Sequence, residues 1–423
     1  TRTETLKVRQ PDGGMRQESL VIHSSIHGPV LARRDDRAVA IRLVGLDQPH
    51  LIDQYWQMAR ATSLEAFESA LARLQIPFFN VLYADRDGHI LYLFGGRTPR
   101  RPHGDWDYWS GTVPGDTAAN LWTATHPYEQ LPRLVDPDTG FLQNANDPPW
   151  TCTFPAVLDA ASFPAYMSAR GMGLRPQRST TMLLDNRAMA LEDLEQAIWS
   201  TRVELADRVL DELVAAVEAH GSPQARQAAE ALSGWDRCAG VDSRGAVLFA
   251  AWARQVGLER FSPGSRPTVF ARPWDPAEPL STPAGLADRA AAVAALDAAA
   301  CQVQQACGRL DVAWGQVHRI RYAGQDLPAF GASDPLGVFC AASFGPPGAD
   351  GCHALTGGQS YLALVEFASP VRARVLLPYG NATQPGSPHR GDQLALFARR
   401  QFRPVWRTRE QILEHLERRE VLP

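Results

Sequence analysis

The sequence predicts an α+β protein. Strand-like runs crowd roughly the first hundred residues and the last hundred, helical periodicity fills the middle, and the strict alternation of strand and helix that marks a doubly wound parallel sheet is missing. At 423 residues and 45% hydrophobic, the composition is globular and the chain is long enough to bury a substantial core. A formal net charge of -4 gives no bulk attraction for nucleic acid or an anionic membrane surface. No window reaches the roughly eighteen uninterrupted apolar residues of a membrane-spanning helix.

Taken in order, residues 18–22 alternate as a strand, residues 24–31 turn at Gly28-Pro29 and restart, and residues 37–44 form another short apolar run. A helix is expected over 48–61. A second opens at Ser63, with Phe67, Ala70, Leu71 and Leu74 on one face. The clearest strand signal is 78–94, where two aromatic and β-branched runs flank Asp87-Gly88, which reads as a hairpin. Residues 95–178 turn to Gly, Pro, Asp, Trp and Asn without periodicity, and a long loop region of that kind inside a domain is more often functional than idle. Helices are then expected at 189–220, closed by Gly221-Ser222-Pro223, and at 224–232, 246–256 and 286–306. Strands return at 310–317, 320–322, 361–367 and 372–377, before a last helix at 409–419. The organisation expected is a sheet-forming part with long cleft loops (1–185), a mainly helical section (186–308), and returning strands with a terminal helix (309–423).

Lys7 is the sole lysine, which excludes Schiff-base catalysis, a pyridoxal-phosphate anchor and a P-loop lysine elsewhere in these residues. There is no Gly-x-Ser-x-Gly elbow, His-Glu-x-x-His or Cys-x-x-Cys pair. His23 and His27, followed by Asp35 and Asp36, have no third ligand at a defined metal spacing, and 85–88 reads as a turn rather than half of a calcium loop. Cys340 and Cys352 bracket a Gly/Pro-rich segment that a disulfide could clamp as a hairpin; a buried, free thiol is the alternative, and for Cys301 and Cys307 the better one. In residues 140–147 the side chains of Gln143, Asn144, Asn146 and Asp147 follow an Asp-Pro-Asp-Thr-Gly turn. They suit turn chemistry, or the placing of an Asn amide donor where an oxyanion develops in acyl transfer. Arg175 and Arg178, near a helix start, are candidates to anchor that loop or a substrate carboxylate.

Ile26-His27-Gly28-Pro29-Val30, the 80–92 hairpin, Phe141-Leu142-Gln143-Asn144-Ala145-Asn146-Asp147, Leu232-Ser233-Gly234-Trp235-Asp236 with Asp242-Ser243, Gly357-Gly358-Gln359-Ser360-Tyr361, and Gly386-Ser387-Pro388-His389 with Asp392-Gln393 run colinearly through nearly the whole chain. Together they resemble the penicillin acylase family, and more closely its acyl-homoserine lactone acylase branch. The resemblance implies an N-terminal-nucleophile hydrolase with a four-layer αββα sandwich plus an added helical section. Such a precursor cuts itself into a small α chain and a large β chain. The first β-chain residue is nucleophile and, through its free α-amine with a pKa near about 8, its own general base.

By motif match the resemblance gives Asn146 the oxyanion position and Arg178 the arginine that orients it. Tyr55, Trp56 and Phe78 match positions lining the acyl pocket, the other reading being ordinary core aromatics. No catalytic cofactor is implied, and a structural calcium ion is left open. The substrate implied is an N-acyl compound such as an N-acyl-homoserine lactone or a β-lactam bearing an acyl side chain, the partner an α chain from the same precursor, and the location periplasmic or secreted. The family's opening Ser-Asn or Ser-His dipeptide is not found, and Thr1 opens a segment matching an interior strand. The expectation is that these residues are the larger, C-terminal part of a β chain, inactive alone. The alternative of another class is a non-catalytic binding or scaffold protein keeping the acylase fold.

Overall fold

Residues 2–22 carry β-branched and polar side chains around a Pro-Asp-Gly-Gly turn, and they fold as a hairpin. β1 (Arg2–Arg9) pairs antiparallel with β2 (Met15–Ile22), Arg2 opposite Ile22 and Arg9 opposite Met15. A computed structural model of the protein describes residues 1–46, 48, 50–258 and 268–421. The chain folds as two units, one of residues 1–142 and 148–169, the other of residues 143–147 and 170–423.

In the first unit β3 (Ser24–Ser25), β4 (Gly28–Arg34) and β5 (Arg37–Ala40) form one antiparallel sheet. Gly28 is required there, because at its φ of +125° a Cβ would run into the carbonyl oxygen of Ile41. Helices α1 (Leu51–Arg60) and α2 (Leu64–Leu71) follow, and the Ser63 hydroxyl caps α2 by accepting from the Ala66 N–H at 3.2 Å. The hairpin expected over 78–94 forms as β6 (Val81–Ala84) and β7 (Ile90–Leu93), and β8 (Arg133–Val135) adds to β7. The Asp85 carboxylate closes the turn, accepting from the Asp87 and His89 N–H groups at 2.9 and 3.0 Å. The loop region beyond includes a short helix, α3 (Trp106–Ser110). Leu71, Leu91, Leu93, Tyr128 and Leu131 make this unit's small core.

The second unit begins its helices earlier than the sequence suggests. Part of the expected loop is α4 (Leu174–Asp185), whose low apolar content hides it. The single helix expected over 189–220 is two, α5 (Leu191–Ile198) and α6 (Glu204–His220). Between them the main chain leaves the helical ladder to pair elsewhere. Val203 N–H donates to Arg237 and Thr201 C=O accepts from Ala239, both at 2.8 Å, while buried Trp199 packs against Phe330, Phe397 and Phe402. Then come α7 (Pro223–Ser233), α8 (Ala246–Gln255), the pair β9 (Phe270–Arg272) and β10 (Ala284–Leu286), and α9 (Arg289–Cys307). The strand expected at 310–317 is instead the helical turn α10 (Trp314–Val317), drawn in by bonds from the Trp314 and Gly315 N–H groups to the carbonyls of Ser243 and Val241.

β11 (His318–Tyr322), β12 (Gln325–Pro328), β13 (Ala342–Pro347) and β14 (His353–Gly358) make a mixed sheet in the order β12-β11-β14-β13, with β11 parallel to β14. β16 (Arg372–Leu376) lies between β15 (Leu362–Glu366) and β17 (Arg403–Pro404) and pairs antiparallel with both; α11 (Leu394–Ala398) precedes β17, and α12 (Arg409–Glu414) ends the elements. One hydrophobic core runs from α4 through the helices to Leu362, Leu376 and Phe397, so the helical section and the returning strands are packed as one body. The fold is α+β; its described strands lie in six sheets of two to four strands.

Of the two readings open for Cys340 and Cys352, the structure has the free thiols: none of the six cysteines is in a disulfide. The β13–β14 hairpin does form, but Ala342 pairs with Gly358 and Pro347 with His353. Cys340 therefore precedes the open end and Cys352 sits by the turn. Buried Cys340 approaches the Gln359 side-chain oxygen at 3.3 Å instead. Among the described residues no helix is long and apolar enough to cross a membrane.

His318 is buried, stacked on Trp314 with ring centroids 3.6 Å apart and close to His353. Burial first, then the neighbouring His353, holds its pKa down to about 3. The folded state thus binds fewer protons at this site than the unfolded chain between about pH 6.5 and 3. The stability it contributes is complete above the unfolded value and is lost as pH falls through that window. Urea midpoints measured from pH 7 to 4 should decline less steeply for His318→Gln than for the unsubstituted chain; equal slopes would show that His318 does not contribute.

Candidate functional site

The site is built on residues 143–147, a short turn of the second unit. Asp147, 3% exposed, organises it: one carboxylate oxygen accepts from the Ala145 N–H at 2.7 Å and the other from the Gln143 amide at 2.8 Å. The Asn144 side-chain oxygen accepts from the Asn146 N–H at 3.2 Å. These bonds hold Asn146 in the left-handed region, φ +64°, which asparagine tolerates better than most residues with a Cβ.

α4 supplies the second part. Gln177, wholly buried, donates to the carbonyls of Met172 and Thr282 at 3.1 and 2.9 Å and accepts from Arg208 at 2.8 Å. Arg208 also donates to Glu204 at 2.8 Å and to the Leu280 carbonyl, and burial pushes the Glu204 carboxyl pKa up despite that partner. With Gln177 turned inward, Arg175, two residues earlier, directs its guanidinium to the turn. Its Nη2 donates to the Asn146 side-chain oxygen at 2.8 Å, and its Nε donates to the Asp334 carboxylate.

An arginine only donates, so the atom of Asn146 that it meets is the carbonyl oxygen. The Nδ2 end is left to donate elsewhere, as an oxyanion donor must. The arginine that the structure brings to Asn146 is Arg175, whereas motif match pointed to Arg178. Arg178 lies one turn further along α4, where its buried Nε has no hydrogen-bond partner and its charge acts to lower the Glu204 carboxyl pKa. Both arginines were visible in the sequence. What separates them is the buried Gln177 between them, which sets the rotation of α4.

Tyr55 and Trp56 on α1, and Phe78 before β6, belong to the first unit and are not core aromatics: they are 42%, 63% and 62% exposed. Phe78 packs against Phe79, and the Arg60 guanidinium lies 5.9 Å from the Trp56 ring centroid. His27 meets the Gly115 carbonyl at 2.9 Å and His23 the Thr1 hydroxyl at 3.1 Å. Among the described residues no group of three His, Cys, Asp or Glu side chains is placed to hold a metal ion. In the Trp235-Asp236 motif the Asp236 carboxylate accepts from the Ser243 hydroxyl at 2.9 Å and the Cys238 N–H at 3.0 Å, which is turn-forming chemistry.

An amide whose oxygen is held by an arginine turns its N–H donors the other way. The penicillin amidase family model matches residues 1–414, and the chain belongs to that family. Among similar proteins are the acyl-homoserine lactone acylase PvdQ of Pseudomonas fluorescens, 28% identical over 97% of this chain and 56% of the relative, and the aculeacin-A acylase of Actinoplanes utahensis, 25% identical over 97% and 56%. Penicillin acylase 2 proenzyme of a Pseudomonas species is 25% identical over 90% of this chain and 51% of its own length. The chain thus spans little more than half the length of these curated relatives. A thermostable penicillin G acylase from Alcaligenes faecalis shares the fold, with a TM-score of 0.64 and 17% identity over all of this chain and 81% of that one.

Replacing Asp147 by Ala strips the acceptor from at least two groups of a buried turn. A stability loss on the order of 2–4 kcal/mol is expected from denaturant midpoints, larger than for Asp147→Asn, which keeps one acceptor oxygen. Equal losses for the two variants would contradict the role given to both oxygens.

Proposed function

We propose that the protein to which this chain belongs hydrolyses the amide bond of an N-acyl substrate, with Asn146 donating through Nδ2 to the tetrahedral oxyanion. The observation that carries the reading is the Arg175–Asn146 hydrogen bond at 2.8 Å, which leaves the amide's donor end available. Family membership supplies the reaction class. The attacking group in this reading is an N-terminal nucleophile outside these 423 residues, its α-amine taking the hydroxyl proton as the carbonyl is attacked. Nδ2 then meets negative charge only as it develops, so its bond strengthens toward the transition state and lowers the barrier rather than tightening ground-state binding.

The acyl group is assigned to Tyr55, Trp56 and Phe78. Exposed aromatics of this size suit an apolar chain or aryl group, and their exposure favours binding over a core role. The candidate substrates are an N-acyl-homoserine lactone or a β-lactam carrying an acyl side chain. These follow what PvdQ and penicillin acylase 2 are named for, and quorum quenching or antibiotic conversion would be the corresponding outcome. The same reading includes autoproteolytic processing, an α-chain partner, a periplasmic or secreted location, and completion of the four-layer αββα sandwich with residues beyond this chain.

The test is hydrolysis of a panel of N-acyl substrates by the whole protein. Asn146→Ala should lower kcat on the order of a hundredfold or more with the protein still folded. Unchanged turnover would remove Asn146 from the site, and no hydrolysis of any panel member by the parent protein would favour a binding or scaffold role.

A further inference from the structure

We infer that Asp334 is a positioning residue for this site, setting the Arg175 guanidinium so that Asn146 presents Nδ2 and not its oxygen. The inference rests on the acylase reading above for its catalytic consequence, though not for its geometry. Asp334 opens a 3-10 turn, Asp334–Leu336, and lies 159 residues from Arg175 in sequence. It accepts from Arg175 Nε, while Nη2 of the same planar group reaches Asn146. A guanidinium is a rigid fork, so holding Nε against a carboxylate fixes the direction in which Nη2 donates. The Arg175 side chain is only 15% exposed and Asp334 is 49% exposed. An ion pair with one partner so open adds little to folding, and orientation is the better account of its use.

Asp334 is held in register by Gly337, which has φ +73°. A Cβ there would fall 2.7 Å from the Leu174 Cβ and 2.6 Å from the Glu204 Cβ. Only glycine lets the 3-10 turn pack this closely on the first residue of α4, the neighbour of Arg175. Asp334 also offsets the arginine's charge. Asn146 is then polarised by a compensated guanidinium rather than competing with a free one for the substrate oxygen.

Three variants in the whole acylase test this. Asp334→Ala should lower kcat by about ten- to a hundredfold with little change in KM, as expected when a reacting group is misplaced by about 1 Å. Asp334→Asn, which keeps an acceptor oxygen for Nε, should recover most of that loss. In an Asn146→Ala background, Asp334→Ala should have no further effect, because the group it positions is gone; a merely structural role would add a second loss. An unchanged kcat for Asp334→Ala, or a full additional loss in the Asn146→Ala background, would overturn the inference. If the parent protein hydrolyses no N-acyl substrate, the acylase reading fails and a crystal structure of Asp334→Ala decides the positioning alone. Displacement of Nη2 from the Asn146 oxygen supports it, and an unmoved guanidinium overturns it.

Discussion

The rotation of α4 about its own axis is the constraint on which the site depends. Successive helical residues differ by about 100°, so turning Gln177 into the core fixes the direction of every other side chain on the helix. Gln177 is held there by two main-chain carbonyls and by Arg208. A buried amide stripped of such partners costs about 1–3 kcal/mol for each unsatisfied group, which leaves the helix little freedom to roll. With Gln177 inward, Arg175 meets Asn146, and the charge of Arg178 acts on Glu204. Glu204 is buried in this network, and that burial pushes its carboxyl pKa up. A polar cluster of that kind adds little net stability compared with apolar packing, but it specifies one arrangement.

The two units are built differently. The second has an extensive core in which four helices, α6 to α9, pack together and join the strands that follow. The first has a small core around Leu71, Leu91 and Leu93, and its β1–β2 hairpin is exposed along almost its whole length. Ile52, Tyr55, Trp56, Phe78 and Phe79 are exposed in the same unit. Such side chains mark a binding surface only where they form a contiguous patch.

Much of the fold was legible wherever local chemistry decides conformation. The 80–92 hairpin, the Ser63 cap and the helices from α6 to α9 follow from turn residues, capping and periodicity. What local patterns missed was set by distant partners. The break at 199–203 exists because residues 237 and 239 compete for its main chain, and α10 replaces a strand because Val241 and Ser243 accept its N–H groups. The turn around Asn146 could be read as a candidate amide donor, because Gln143, Asn144 and Asp147 are residues that bond their own backbone. Its arginine partner could not be chosen by spacing alone. Arg175 and Arg178 share the helix, and only a buried glutamine between them separates their roles. Asp334 left no sequence trace, since its contact to Arg175 spans 159 positions.

In the proposed function, Asn146 Nδ2 faces the oxygen on which negative charge develops. The direct measurement is a crystal structure of the whole protein with a boronate or phosphonate analogue of the tetrahedral intermediate. The expected result is Nδ2 within about 2.7–3.1 Å of an analogue oxygen, with the amide oxygen still on Arg175. An Asn146 amide turned away from the analogue, or its oxygen released from Arg175, would contradict it.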